Sequence, residues 1–204
     1  MTRVAAIIPV GTFAGAKSRL GESLDAEERQ DLVERLLART VVAALAVERL
    51  DDVLVASPDR DVLRRAAELA ARTLRQRSRG LNAGLAEARA DVVAGGAEAI
   101  LVLPIDLPFV TSAAIAAVLE PLAASPTVVL VTDRHGTGTN ALALRPPDVI
   151  DFAFGPGSRR AHRAAAEAAG ATYVEIQGPL AIDLDTADDL VFVESIATEG
   201  VGAG

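Results

Sequence analysis

The stretch AILVLPIDLPF, residues 99–109, decides the fold of this chain. Its first five residues are all apolar, and a run of this length is typical of a strand buried on both faces of a sheet. Asp106 follows between Pro104 and Pro108, which restrict the backbone around it. The stretch therefore predicts a buried strand that ends in a rigid polar turn.

Similar short apolar runs alternate along the chain with longer stretches rich in Ala, Leu, Arg and Glu. We predict strands at 4–10, 52–57, 72–76, 99–106, 127–133, 140–144 and 172–176, and helices at 25–50, 58–72, 80–94, 111–123, 162–170 and 185–197. We expect 72–76 to be an edge strand and 140–144 to be exposed or antiparallel. This order predicts the α/β class, as a three-layer α/β/α domain with a mostly parallel, mixed sheet. The predicted single domain covers 1–198, and 199–204 is expected to be a flexible tail.

The composition excludes several classes of protein. The 204 residues carry a formal net charge of −8, which argues against a nucleic-acid partner because surfaces that bind nucleic acids are basic. The chain has no cysteine, so disulfides, thiolate zinc sites and cysteine nucleophiles are excluded. The apolar runs are all shorter than a membrane span, and no signal-peptide pattern opens the sequence. We therefore expect a cytoplasmic protein with no membrane partner.

Lys17 is the only lysine in the chain, and every other permanently cationic side chain is an arginine. It lies in the loop PVGTFAGAKSRL, residues 9–20, whose small residues let backbone N–H groups approach phosphates. A Walker A loop is disfavoured because it requires glycine immediately before the lysine, where Ala16 stands. Two interpretations remain: Lys17 survives by chance on a solvated loop, or its compact charge contacts phosphate oxygens with Arg19 behind it.

Aspartates stand at two further ends of predicted strands, where ligands of open α/β sheets bind. Asp106 follows the buried strand, and Asp183 and Asp185 lie two residues apart, which puts both on one side of an extended segment. Asp106 and Asp185 could instead cap the helices that follow them. Together the three carboxylates form an all-oxygen set that suits Mg²⁺.

The segment FGPGS, residues 154–158, has the pattern of an anion site at the start of a helix. Gly155 and Gly157 free the backbone, and Ser158 adds a hydroxyl where the helix N–H groups point outward. An ordinary glycine turn with a serine N-cap is the alternative. His135 and His162 are too few and too far apart to indicate zinc, and their roles are left open.

Five motifs, in the order IIPV…AKSRL, LPIDLPF, DRHGTGTNALAL, FGPGS…H and AIDLDTADDL, resemble the guanylyltransferases of deazaflavin coenzyme F-420 biosynthesis. The resemblance covers residue 4 to about residue 196. Its specific part is the pair GTGTNAL and FGPGS, since the first loop and LPID are shared with many nucleotidyltransferases. It implies a glycosyltransferase-A-like nucleotidyltransferase that transfers GMP from GTP to phosphoenolpyruvate or 2-phospho-L-lactate and releases pyrophosphate.

The resemblance also implies a role for each candidate residue. The catalytic residues would be Lys17 and Asp106, and Mg²⁺ would be bound by Asp106, Asp183 and Asp185. The nucleotide would be bound by Pro9, Val10, Gly11, Lys17, Arg19 and Asn82, the last of these near the guanine or ribose. The acid would be held by Thr139, Gly155 and Ser158. Gly11 stands where family members often carry lysine, and Arg19 is expected to compensate.

Two alternatives stay open. The same fold could serve a nucleotidyltransferase with another acceptor, namely 3-phosphoglycerate, molybdopterin or a sugar phosphate. The chain could also be a non-catalytic nucleotide-binding module, which the presence of Asp106 and Asp185 disfavours. Beyond GTP and the small phosphorylated acid, we expect two kinds of partner: a second copy in a homodimer, and the next enzyme of the pathway, which would take over a labile product.

Overall fold

The computed structural model describes residues 2–12 and 24–184, together with residues 189 and 191. The strands in this part of the chain are β1 (Val4–Pro9), β2 (Asp52–Ser57), β3 (Arg72–Arg75), β4 (Ala99–Val102), β5 (Thr127–Val131), β6 (Ala141–Arg145) and β7 (Thr172–Ile176). The α-helices are α1 (Ala26–Leu45), α2 (Arg60–Glu68), α3 (Leu81–Ala94), α4 (Ser112–Leu119) and α5 (Ser158–Ala168). Short 3₁₀ turns lie at Glu120–Ala123 and Pro179–Ala181.

The strands form one sheet in the order β3-β2-β1-β4-β6-β5-β7. Neighbouring strands are parallel except at β6, which is antiparallel to both β4 and β5. The predicted mostly parallel, mixed sheet is therefore confirmed, and β3 is an edge strand as expected. Strand β6 is antiparallel as predicted but not exposed, because it lies between two other strands and its first four residues are fully buried.

Two cores lie on the two faces of the sheet, because successive side chains of a strand point to opposite sides. In β1, Ala6 and Ile8 face the layer of α1, α2 and α4, whereas Ala5 and Ile7 face the layer of α3 and α5. The three-layer arrangement is thereby confirmed. All the parallel strands direct their carboxyl ends to one edge of the sheet, which we call the carboxyl edge.

Helix α1 begins where the sequence indicates but ends earlier. The Asp25 carboxylate accepts a hydrogen bond from the Glu28 N–H at 2.9 Å, and the Glu28 carboxylate accepts one from the Asp25 N–H at 2.8 Å. The helix ends at Leu45 rather than near Leu50. Leu50 belongs to a turn, in which its N–H donates to the Val47 carbonyl at 3.0 Å. The side chains of Val47 and Leu50 still contact the core, so the apolar period continues past the end of the helix.

Helix α5 begins at Ser158, four residues before the sequence prediction. The predicted last helix at 185–197 and the predicted tail lie outside the described residues, apart from positions 189 and 191. Among the described helices, none combines the length and the apolar character that crossing a membrane requires.

Candidate active site

The loop that follows β1 is anchored to the end of β2. The Val10 N–H donates to the Ala56 carbonyl at 2.9 Å, and the hydroxyl of the fully buried Ser57 donates to the Gly11 carbonyl at 3.1 Å. Ser57 is not among the site residues predicted from the sequence, although a polar residue at the end of an apolar strand is a signal that indicates it. Of the predicted nucleotide-binding residues, the structure describes Pro9, Val10, Gly11 and Asn82, whereas Lys17 and Arg19 lie outside the described residues.

Asp106 lies beyond the end of β4, and its side chain is partly exposed. Its carbonyl oxygen accepts a hydrogen bond from the Leu184 N–H at 2.9 Å. This bond brings the segment that carries Asp183 against the Asp106 turn. Two of the three predicted carboxylates therefore lie on adjacent segments at the carboxyl edge, and Asp185 lies outside the described residues.

These carboxylates fit Mg²⁺ by their chemistry. Asp106 and Asp183 offer only oxygen ligands, and both side chains are partly exposed, so phosphate oxygens and water have access to them. No three His, Cys, Asp or Glu side chains form a metal-binding group among the residues that the structure describes. A Mg²⁺ ion held here would therefore take further ligands from nucleotide phosphates and water, as this cation commonly does.

The segment between β5 and β6 folds around Asp133. Its carboxylate accepts hydrogen bonds from the Thr137 N–H at 2.7 Å and from the Thr137 hydroxyl at 3.1 Å. Burial raises the pKa of Asp133, but the hydrogen bonds from Gly138 and Thr137 outweigh it, and the net pKa lies below its usual value. Asp133 is thus ionised near neutral pH and holds the GTGTN motif in a compact turn. An aspartate that opens a glycine-rich turn is the signal that the sequence analysis passed over.

The first turn of α5 contacts this motif directly. The Arg159 N–H donates to the Thr137 carbonyl at 3.2 Å, and the Arg159 guanidinium donates to the Gly136 carbonyl at 3.1 Å. The same guanidinium forms an ion pair with Glu175 of β7 at 3.0 Å. The GTGTN and FGPGS motifs are therefore neighbours, although β6 separates them in the sequence.

Thr139, Gly155 and Ser158 come together at the amino end of α5. The Ser158 N–H donates to the Gly155 carbonyl at 3.1 Å, and the Thr139 hydroxyl lies 3.0 Å from Nδ1 of His162, one helical turn beyond Ser158. Gly155 and Gly157 have φ of 131° and 74°, a conformation that other residues rarely adopt. Ser158 is buried. The three residues are thus neighbours, and their binding of an acid stays a prediction.

His162 is fully buried and contacts both predicted acid-binding motifs. Its Nε2 accepts a hydrogen bond from the Ala153 N–H at 3.0 Å, while Nδ1 faces the Thr139 hydroxyl. The Phe154 ring packs edge-on against the imidazole, with centroids 5.1 Å apart. Burial lowers the pKa of His162 from 6.5 to about 4, so the ring is neutral near pH 7.

This buried histidine predicts a pH dependence of stability. Between pH 6.5 and about 4 the unfolded chain binds a proton on this ring that the folded chain does not. The neutral ring therefore makes its full contribution to folding stability above about pH 6.5. This contribution is lost as the pH falls to about 4, which lowers the free energy of unfolding by up to about 3 kcal/mol. Urea unfolding of the wild type and His162→Asn at several pH values checks this. The stability difference between the two proteins should shrink as the pH falls, and a constant difference would contradict the assignment.

Helix α3 holds the segment that leads into FGPGS. The Asn82 side chain donates to the Phe154 carbonyl at 3.0 Å and accepts from the Phe154 N–H at 2.9 Å. Two turns further along α3, the Arg89 guanidinium lies over the Phe152 ring at 4.8 Å. The family resemblance implies that Asn82 lies near the guanine or ribose. That contact stays a prediction, whereas the structure gives the Asn82 amide a position in which it holds Phe154, next to Gly155.

The turn before α3 is fixed from within the helix. The Glu87 carboxylate accepts hydrogen bonds from the N–H groups of Arg77 and Ser78 at 3.0 and 3.1 Å, and these bonds lower the pKa of Glu87. The Gln76 side chain donates to the carbonyls of Ser78 and Gly80 at 2.8 and 3.2 Å. The segment RGLNAG thus enters α3 from a well-defined turn.

Solved structures show which known fold this architecture matches. A Desulfovibrio desulfuricans protein assigned to the nucleotide-diphospho-sugar transferases superposes with a TM-score of 0.78 at 15% identity, over 95% of this chain and 87% of that one. The CMP:2-keto-3-deoxy-manno-octonic acid synthetase complexed with CTP superposes with a TM-score of 0.64 at 16% identity, over 98% and 100%. The chain has the nucleotidyltransferase fold of the nucleotide-diphospho-sugar transferase type, as predicted.

Sequence comparison defines the family. Residues 4–199 match the family model described as Guanylyl transferase CofC like, and the chain belongs to this family. It is 45% identical to the phosphoenolpyruvate guanylyltransferase of Rubrobacter xylanophilus, over 94% of both chains. It is 42% identical to the enzyme of the same name from Sphaerobacter thermophilus, over 93% of this chain and 91% of that one. It is 35% identical to the 2-phospho-L-lactate guanylyltransferase of Methanothermobacter thermautotrophicus, over 92% and 82%.

Proposed function

We propose that this protein is a guanylyltransferase of coenzyme F-420 biosynthesis. It transfers GMP from GTP to a phosphorylated three-carbon acid, phosphoenolpyruvate or 2-phospho-L-lactate, and releases pyrophosphate. The observation that carries the proposal is the meeting of Thr139, Gly155 and Ser158 at the amino end of α5. This arrangement occurs in a chain that is 45% identical to a phosphoenolpyruvate guanylyltransferase.

The amino end of α5 suits a small dianionic acid. The helix dipole favours negative charge at this point, and the Ser158 hydroxyl adds a donor. The Thr139 hydroxyl lies one turn away on the same side of the helix. A carboxylate or phosphate of a three-carbon acid would therefore find the hydroxyls of Ser158 and Thr139 as hydrogen-bond donors here.

The chemistry requires positioning and charge neutralisation rather than proton transfer. An oxygen of the acid's phosphate attacks the α-phosphorus of GTP, and a new P–O bond forms as the bond to the departing pyrophosphate breaks. The attacking phosphate is already ionised near neutral pH, so no side chain has to remove a proton. We assign Lys17 and Arg19 to the nucleotide phosphates, and Asp106, Asp183 and Asp185 to Mg²⁺. When bound, Mg²⁺ would offset the repulsion between the two anions.

An assay of pyrophosphate release tests the proposal. The purified protein is incubated with Mg²⁺, one nucleoside triphosphate (GTP, ATP, CTP or UTP) and one acid, and the guanylylated product is identified by mass spectrometry. We expect pyrophosphate and product with GTP together with phosphoenolpyruvate or 2-phospho-L-lactate. Turnover only with 3-phosphoglycerate, molybdopterin or a sugar phosphate would show that the acceptor differs from the proposed acids. The absence of pyrophosphate with every pair would favour a non-catalytic nucleotide-binding module.

Ser158→Ala is expected to weaken the binding of the acid and to leave the binding of GTP unchanged. The hydroxyl at the amino end of α5 would donate a charge-assisted hydrogen bond to the acid, so its loss should raise the KM for the acid about tenfold. The KM for GTP should stay within about twofold. Ser112→Ala is the matched control, because Ser112 is likewise the first residue of a helix, and it should change neither KM. A rise in the KM for GTP instead would assign FGPGS to the nucleotide.

Three further proposals concern the setting of the enzyme. We place it in the cytoplasm, where GTP and phosphorylated acids are metabolites. We also propose a homodimer, for which light scattering on a gel-filtration column is the test. The transfer of a labile product to the next enzyme of the pathway is the third proposal. It predicts that adding that enzyme raises the yield of stable downstream product without raising the rate of pyrophosphate release.

A further inference from the structure

The contacts of His162 fix the position of its ring proton. A backbone N–H can only donate, so the Ala153 N–H, 3.0 Å from Nε2, requires a lone pair on Nε2. A neutral imidazole carries one hydrogen, which must then be on Nδ1. Since Nδ1 lies 3.0 Å from the Thr139 hydroxyl oxygen, the ring donates to that oxygen. A protonated ring would instead place a second N–H against the Ala153 N–H.

This proton arrangement sets the direction of the Thr139 hydroxyl. The oxygen accepts from His162, so its own hydrogen has to point away from the ring. The Thr139 side chain is partly exposed, and within the described ranges its hydroxyl has no other hydrogen-bond partner. The hydroxyl is left as a directed donor about one helical turn from Ser158, where an anionic oxygen of the acid would accept.

We infer that His162 is a positioning residue that orients the Thr139 hydroxyl to donate to the acid substrate. The inference rests on the proposed function, because it assumes that the acid binds at the amino end of α5. The ring does not touch the acid and exchanges no proton during the reaction. Its effect on the acid passes through Thr139, and its bond to Ala153 holds the segment before FGPGS.

The rival explanation is that His162 only fills the core and supports Ala153. Two substitutions separate the roles because each preserves one of the two ring contacts. In His162→Asn the side-chain amide can occupy the place of Nδ1 and donate to Thr139. In His162→Gln the longer amide can reach the place of Nε2 and accept from Ala153.

We expect different kinetics from these two variants. His162→Gln should raise the KM for the acid about tenfold, the effect of one lost hydrogen bond, whereas His162→Asn should raise it less than about threefold. The KM for GTP should stay within about twofold in both. Because each variant removes one buried contact, their melting temperatures should fall by similar amounts. A purely structural role would instead make the acid KM follow the loss of stability, and the two variants would then be alike.

A double-mutant cycle with Thr139 tests the route of the effect. Thr139→Val removes the hydroxyl at nearly constant volume and should raise the acid KM about tenfold or more. In the Thr139→Val background, His162→Gln should cause no further rise in the acid KM, because the hydroxyl that His162 orients is gone. Thr127→Val is the matched control: the buried Thr127 hydroxyl donates to the Ala124 carbonyl at 3.1 Å, at the start of β5 and away from the carboxyl edge. The effects of Thr127→Val and His162→Gln should combine independently.

The outcomes distinguish this inference from the proposed function. A wild-type protein that turns over no acid overturns both. A normal wild type whose His162→Gln and His162→Asn variants are alike, or whose cycle with Thr139→Val is additive, overturns the inference alone. Nitrogen NMR of the imidazole gives an independent check: the resonances at pH 7 should show a protonated Nδ1, and a protonated Nε2 would contradict the assignment.

Discussion

Asp106→Asn is expected to lower turnover by about a hundredfold or more while leaving the protein folded. We assign Asp106 to Mg²⁺, and a metal ion commonly contributes several kcal/mol of charge stabilisation at reacting phosphates. A hundredfold loss corresponds to about 2.7 kcal/mol of that stabilisation. The amide has nearly the same shape as the carboxylate, and the Asp106 carbonyl still accepts from the Leu184 N–H, so the turn should persist. Steady-state kinetics over a range of Mg²⁺ concentrations measure the effect.

The control for this substitution is Asp148→Asn. Asp148 is exposed and follows β6, whose reversed direction carries it to the edge of the sheet opposite Asp106. It should retain wild-type kinetics. Asp185→Asn is expected to resemble Asp106→Asn, and Asp183→Asn should be milder. An Asp106→Asn protein with near wild-type turnover at saturating Mg²⁺ would show that the metal assignment is wrong.

Asn82→Leu is expected to lower kcat/KM for the acid about a hundredfold. It removes both hydrogen bonds to Phe154, at 3.0 and 2.9 Å, and leaves two partly buried backbone groups without a partner. Phe154 precedes Gly155, so the loss should fall on the segment that would bind the acid. Asn82→Asp, which keeps the acceptor but not the donor, should lose about tenfold. Kinetics with each substrate varied in turn measure both effects.

Arg89→Leu is the matched comparison for Asn82. Arg89 lies on the same helix and donates to the Ile150 carbonyl at 3.0 Å, in the same segment but farther from Gly155. Arg89→Leu should lower kcat/KM for the acid clearly less than Asn82→Leu does. If Asn82→Leu leaves the KM for the acid unchanged and raises only the KM for GTP, Asn82 contacts the nucleotide directly, as the family resemblance implies, and does not position the acid-binding segment.

The sequence predicts the layers of this fold well, because each depends on local patterns. Apolar runs bounded by Asp, Pro or Gly locate β2 and β7 to the residue. The end of α1 is predicted poorly, since Val47 and Leu50 continue the helical period in turns that pack on the same core. The position of β6 in the sheet is also not predictable locally, because its burial depends on the strands on both sides.

Some features of the candidate site are likewise predictable from the sequence, whereas others are not. The FGPGS pattern predicts an anion site at Gly155 and Ser158, and the family resemblance adds Thr139 to the predicted site. The contact of Asn82 with Phe154 joins residues 72 positions apart, and no local pattern encodes it. The role of His162 is equally hidden, because it depends on a backbone N–H whose direction only the folded chain defines.

The reversed direction of β6 has a consequence for how acceptor specificity can diverge in this architecture. Residues 132–140 join two adjacent antiparallel strands, and the Asn140 N–H closes the connection on the Val131 carbonyl at 2.8 Å. A parallel neighbour would require a crossover of a dozen or more residues, usually with a helix. Here the two ends of the loop are fixed about one strand spacing apart, roughly 5 Å. Lengthening its interior is therefore entropically inexpensive, since each doubling of loop length costs only about 0.6 kcal/mol. Under the proposed function, substitutions and insertions between Asp133 and Thr139 would alter the acid-binding residues without shifting the register of the sheet. We therefore expect relatives to differ in acceptor preference at this hairpin loop while keeping the same sheet.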